Sequence, residues 1–209
     1  MKDLFPGYFR RQDESPDAEF YREPRLVAHV DDAAIAALGE FLRPLIPEGA
    51  DVLDLMAAYL THLPPDVRAR CRRVAGLGMN DAEMAANAQL TDHVVHDLNA
   101  DPALPFADDS FDAALCTVSV QYLLRPEEVF AQVCRVLRPG APFVVSFSNR
   151  CFPTKATLLW LSTDDAQHAA LVRMYFEHGG RWEGIEALDI SPPPGRTDPL
   201  YVVWARRAA

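Results

Sequence analysis

Residues 111–148, FDAALCTVSVQYLLRPEEVFAQVCRVLRPGAPFVVSFS, read as a strand, a helix and a second strand in direct succession. Phe111 to Val118 is apolar without polar alternation, the pattern of a strand covered on both faces. Pro126 suits the first position of a helix, and Glu127 and Glu128 suit the positive end of its dipole. Val129, Val133, Val136 and Leu137 then share one face, and Pro139-Gly140 stop the helix. Phe143 to Ser148 supplies another buried strand. A helix between two such strands is the connection that parallel pairing requires.

The same alternation continues on both sides. Val52 to Met56, Arg73 to Leu77 and His93 to His96 read as short strands, with a helix from Asp81 to Leu90. Ahead of them, Asp31 or Asp32 can cap a helix carrying Ile35, Leu38, Leu42 and Leu45, which Pro44, Pro47 and Gly49 end. Beyond residue 148, the Ser162-x-x-Asp165 spacing of a capping box opens a helix running from about Asp164 to Glu177. Trp182 to Ile190 and Tyr201 to Ala205 close the sheet on either side of the proline loop SPPPGRTDP. The expected fold is α/β: a Rossmann-like, mostly parallel seven-stranded sheet with helices on both faces and an N-terminal helical cap. Residues 1–48 form the arm and cap helix and residues 49–209 the sheet domain, within one structural domain.

Charge and composition narrow the partners. Thirty acidic against twenty basic residues leave the 209-residue chain at −10, which disfavours nucleic acid. No apolar run approaches the ~18–20 residues of a membrane span, and no secretion signal is expected. Cysteines at 71, 116, 134 and 151 form no paired motif, which predicts free thiols in a cytoplasmic setting. His93 and His96 stand three residues apart on a strand and point to opposite faces, so no metal site is expected. Arg68, Arg70, Arg72 and Arg73 read as a solvated edge.

Ligands in open α/β sheets bind beyond the C-terminal ends of the strands. At the third exit, the Asp97 carboxylate can accept from an exocyclic amine while the following amide serves a ring nitrogen, together reading an adenine edge. The alternative is that Asp97 caps a loop. With this residue the chain resembles the seven-stranded S-adenosylmethionine-dependent methyltransferases, in particular the type 11 small-molecule group. VLDL (52–55), the D-x6-LPF-x-DDSFD pattern (97–112) and VCRVLRPGAPFVVSF (133–147) carry the resemblance. It implies S-adenosylmethionine as cofactor and methyl transfer to a small molecule. By position it implies Asp54 beside the amino-acid part, Asp97 and Leu98 at the adenine, and Thr117 near the methionine portion. Met56, Ala57, Met79 and Asn80 complete the expected cofactor-binding set.

Two positions depart from the family pattern. The glycine-rich turn after strand one is replaced by Asp54-Leu55-Met56-Ala57-Ala58-Tyr59-Leu60, and the ribose-binding acid at the end of strand two is replaced by Gly78. The glycine-free turn is expected to stay in ordinary backbone regions, and Asn80 or Asp81 to serve the ribose. A collapsed turn filling the cofactor site is the alternative, and with it a methyltransferase-fold protein of altered chemistry or a ligand-binding role. On the substrate side, Tyr21, Arg25 and His29 at i, i+4, i+8 would share one helix face. They suit an anionic or aromatic molecule, with His29 as the proton acceptor. Tyr59 and His62 are expected to project near the pocket, with Gln121, Tyr122, Arg150 and Lys155 on the same side. Cationic neighbours would favour a thiolate at Cys151.

Overall fold

The computed structural model describes residues 5–193 and 196–209; Met1 to Leu4 of the arm, and Pro194 and Gly195 of the proline loop, lie outside the described residues. In chain order the elements are α1 (Asp17–Phe20), α2 (Asp32–Leu42), β1 (Asp51–Leu55), α3 (Pro65–Arg70), β2 (Arg73–Gly78), α4 (Asp81–Ala86) and β3 (Asp92–Val95). There follow β4 (Ala113–Thr117), a 3-10 turn (Val120–Tyr122), α5 (Pro126–Val136) and β5 (Pro142–Phe147). The chain closes with α6 (Leu158–Leu161), α7 (Asp165–His178), β6 (Trp182–Asp189) and β7 (Tyr201–Arg207).

The strands form one seven-stranded sheet in the order β3-β2-β1-β4-β5-β7-β6. The pairings among β1 to β5 are parallel, whereas β7 runs antiparallel to both β5 and β6. Neighbouring residues of the buried strands face opposite layers. Leu53, Ala75 and Phe143 pack with Val129, Phe130 and Val133 of α5 and Val172 and Phe176 of α7. Val52, Val74 and Val144 pack instead with Ala34, Leu38 and Leu42 of α2 and Val67 of α3. The central strands β1, β4 and β5 are thus covered on both faces, which is why they lack polar alternation.

Several elements differ from their sequence expectations. The helix after β2 ends at Ala86 rather than Leu90, and Phe111 makes only an isolated bridge to Leu137 ahead of β4. The capping box of α7 is built by Asp164 and Gln167, not from Ser162, whose hydroxyl donates to the Leu158 carbonyl. Tyr21 to His29 is not helical: α1 ends at Phe20, and Pro24 lacks the N–H that a continuing helix would need. The four clustered arginines each make a local tie: Arg68 to the Gln89 carbonyl, Arg70 to the Arg43 and Ile46 carbonyls, Arg72 to Asp51 and Arg73 to Asp92.

The chain order reverses between β1 and β4, and the turn leaving β1 decides whether the crevice there stays open. Met56 takes a φ of 58°, so the expected ordinary backbone is corrected. The left-handed conformation turns the chain across β2, where the Ala57 amide donates to the Leu77 carbonyl at 2.8 Å. A Cβ at residue 78 would stand 2.1 Å from the Ala57 carbonyl oxygen, and one at residue 76 would stand 3.3 Å from the Ala57 Cβ. The glycine that permits this close backbone approach, Gly78, therefore lies on β2 instead of in the turn, while a Cβ at residue 76 would meet the Leu90 side chain at 2.5 Å. Gly78→Ala is expected to lower the urea midpoint by the equivalent of about 3 kcal/mol, the upper end of overpacking costs. An unchanged midpoint would contradict this contact.

Candidate functional site

At the carboxyl ends of β1 to β4 lies a cleft enclosing about 980 Å³, its open mouth included. Its floor is Asp54, Met56, Ala57 and Ala58 after β1, Leu77 to Asn80 after β2, His96 to Asn99 after β3 and Thr117 to Ser119 after β4. The expected cofactor set of Asp54, Met56, Ala57, Met79, Asn80, Asp97, Leu98 and Thr117 therefore lines one cavity. Met56, Ala57 and Ala58 of the turn form part of its wall. Met56, His62 and Val118 all line the cleft with left-handed φ values of 58°, 62° and 46°. For a β-branched residue such as Val118 that is a strained conformation, and strain of this kind gathers at ligand sites.

Asp54 is 3% exposed, and its Oδ2 has no hydrogen-bond partner among the described residues. The Thr61 hydroxyl bonds the carboxylate and itself accepts from Asn87 Nδ2 at 3.1 Å. Burial pushes the Asp54 carboxyl up to about 7, with the Thr61 bond pulling the other way. Asp97 uses Oδ1 to hold the turn that follows, accepting from the amides of Asn99 at 2.9 Å and Ala100 at 3.2 Å. It is thus both a loop cap and a cavity residue.

The N-terminal arm roofs the cleft. Arg11 makes a bidentate, buried pair with Asp17, and Asp17 also accepts from Asn99 Nδ2 at 2.9 Å. Glu83 accepts from the Arg25 amide at 2.6 Å, and Asn80 Nδ2 donates to the carbonyls of Tyr21 and Arg22. Asn80 Oδ1 caps α4 as well, so the side chain expected to serve the ribose is committed to the arm. Tyr21, Arg25 and His29 line the cleft despite the lost helix, with the Tyr21 and Arg25 backbones helping to anchor the arm. Burial, then the Arg25 charge, holds the His29 imidazole below its ordinary value. Tyr122 stacks on Phe152 and its hydroxyl accepts from the Phe152 amide at 2.8 Å; burial pushes that phenol up to about 12.

Four of the residues expected on the substrate side stand elsewhere. Lys155 is fully buried outside the cleft, donating to the Ser15 carbonyl at 2.7 Å and pairing with Asp13 and Asp17 at 3.3 Å; its charge fastens the arm. Gln121, the middle residue of the 3-10 turn, is buried and donates to the Val118 carbonyl at 2.9 Å. Arg150 is exposed and pairs with Asp198, and Tyr59 does not reach the cavity wall. The Cys151 thiol is raised by burial rather than favoured as a thiolate. Sequence reasoning missed Glu83, Asp17, Asn99 and Phe152. Glu83 alone left a readable signal, an acid in the first turn of a helix at a strand exit.

Two buried groups give the site opposing pH signatures. Between 3.8 and about 7 the folded chain keeps a proton on Asp54 that the unfolded chain has lost, so stability falls as pH rises. His62, with burial and the nearby His29 pushing it down to about 4, stays neutral where the unfolded imidazole is charged. Its contribution is full above 6.5 and is lost as pH falls toward 4. Over pH 4.5–6.5, Asp54→Asn should therefore make stability rise more steeply with pH. His62→Asn should tilt the curve the other way, each by up to about 1.4 kcal/mol per pH unit. Urea unfolding at several pH values checks this, and curves parallel to the parent for both variants would contradict it.

Comparison with known proteins relates this cleft to a family. The family model described as a methyltransferase domain matches residues 57–145. A ubiquinone/menaquinone biosynthesis C-methyltransferase of Roseobacter denitrificans is 40% identical over 68 residues, covering 32% of this chain and 26% of that one. The chain spans less than half the length of each curated relative it matches. Among solved structures, an S-adenosylmethionine-dependent methyltransferase from Mesorhizobium loti shares the fold with a TM-score of 0.57 and 18% identity, over 82% of this chain and 98% of that one. The [4+2]-cyclase SpnF shares it with a TM-score of 0.61 and 15% identity, over 82% and 81%. Residues 57–145 thus match a methyltransferase domain, on a fold shared with solved S-adenosylmethionine-dependent methyltransferases.

Proposed function

We propose that the chain transfers a methyl group from S-adenosylmethionine to a small molecule. The observation that carries this reading is the buried Asp54 carboxylate, whose Oδ2 has no partner among the described residues and which stands at the switch point of the sheet. An uncompensated acid there fits a ligand bearing an ammonium group and a sulfonium. When bound, S-adenosylmethionine supplies an electrophilic methyl group on sulfur.

The chain's own residues bind, orient and exclude water. Asp54 would accept from the ammonium of the amino-acid part, with Thr117 alongside. Asp97 and Leu98 would hold the adenine. Glu83, an acid lining the cleft just beyond β2, is the carboxylate available for the ribose hydroxyls where Gly78 removes the usual one. The roof of Tyr21, Tyr122 and Phe152 keeps water from the reacting atoms, and fixing donor against acceptor is worth ~7–11 kcal/mol of barrier. His29, neutral at pH 7 because burial lowers its affinity for protons, would take the proton of a hydroxyl or ammonium acceptor. A carbon or thiolate acceptor would not need it.

Equilibrium dialysis with radiolabelled S-adenosylmethionine tests the reading. Saturable binding is expected, weakened tenfold or more in Asp97→Ala, together with labelled product from an acceptor mixture. Absence of binding, or binding indifferent to Asp97, would instead favour a methyltransferase fold that has given up methyl transfer.

A further inference from the structure

The cleft contains a cation that its surroundings do not neutralise. Arg25 lies over the rings of Phe20, Tyr21 and Phe152, with its guanidinium carbon 4.6, 5.8 and 5.2 Å from their centroids. One Nη donates to the Phe20 carbonyl at 3.0 Å, while Nη1 is buried and has no partner among the described residues. Glu83, the nearby acid, bonds the Arg25 backbone amide. Removing water from a guanidinium and leaving a donor unmatched is costly, so this arrangement calls for an acceptor brought by a ligand.

We propose that Arg25 binds a carboxylate of the methyl acceptor, making the acceptor a small aromatic or otherwise flat unsaturated carboxylic acid. This deepens the methyl-transfer reading and rests on it. A carboxylate matches the planar donor edge of a guanidinium. A phosphate dianion matches less well: Asp17, Asp54, Glu83 and Asp97 also line the cleft, and Arg25 is the one arginine or lysine among its lining residues. Tyr21, Tyr122 and Phe152 give the mouth aromatic walls that suit a flat body. The cofactor has a carboxylate of its own. Arg25, however, sits on the roof between the arm and the β5 exit, whereas Asp54 marks the floor at β1.

The test uses the full chain saturated with S-adenosylhomocysteine and three probes: benzoate, benzamide and phenyl phosphate. Ligand-observed NMR titration should show benzoate binding at least tenfold tighter than benzamide and no weaker than phenyl phosphate. Arg25→Gln should bring benzoate and benzamide within twofold of each other, and Arg25→Lys should recover part of the preference. Equal binding of benzoate and benzamide to the parent protein, or an unchanged preference in Arg25→Gln, overturns the proposal. So does a tenfold preference for phenyl phosphate, which would reassign the site to phosphate. A loss of S-adenosylhomocysteine affinity in Arg25→Gln that equals or exceeds the loss for benzoate also overturns it, placing Arg25 at the cofactor. Failure of the parent protein to bind S-adenosylhomocysteine removes both readings; binding it without discriminating benzoate removes this one alone.

Discussion

The Ala57 carbonyl occupies the space that a side chain at residue 78 would take, and the cleft depends on that contact. With β2 ending in glycine, the turn out of β1 can lie flat across its neighbour, and a left-handed Met56 aims it there. The floor is then backbone, and bulky side chains in the turn do not fill the crevice. The arrangement also removes the possibility of an acid at the end of β2, because any side chain at 78 would strike the turn. The glycine-free turn and the glycine that ends β2 are thus two sides of one contact. A carboxylate is still at hand in Glu83, one step further along at the start of α4.

Charge is distributed in keeping with this geometry. The floor concentrates acid at Asp54, where burial raises the carboxyl and no arginine or lysine among the described residues is bonded to it. The roof carries the guanidinium of Arg25 in aromatic surroundings. Between them are the imidazoles of His29 and His62, both lowered by burial and therefore neutral near pH 7. The arm owes its place to groups away from the cleft's centre: the Arg11–Asp17 pair, the buried Lys155 ammonium and the Asn80 and Asn99 amides. The backbones of Tyr21 and Arg25 share in this anchoring, while their side chains and that of His29 line the cleft.

Much of this was legible in the sequence because parallel strands declare themselves as short apolar runs and because strand exits fix where ligands lie. Asp54, Asp97 and Thr117 follow from that rule alone. The antiparallel entry of β7 between β5 and β6 was not legible, since its direction is set by contacts far apart in the chain. The helical spacing of Tyr21, Arg25 and His29 was coincidental; Pro24 breaks it, and their convergence arises from the arm's anchors. Lys155 looked like an anion-binding residue at a strand exit, yet a burial site on the arm claimed its charge. Gly78 was visible, but only the tertiary contact with the Ala57 carbonyl shows why a glycine stands there.

The central claim is that Asp54 is a buried acid waiting for a cationic ligand. Calorimetric titration with S-adenosylhomocysteine at pH 6, repeated in two buffers of different ionisation heat, counts the protons exchanged. Asp54, raised to about 7, is mostly protonated there, and an ammonium brought beside it must drive the proton off. The account predicts release of well over half a proton per ligand bound, abolished in Asp54→Asn. Binding with no proton release, or release unchanged in that variant, would contradict it.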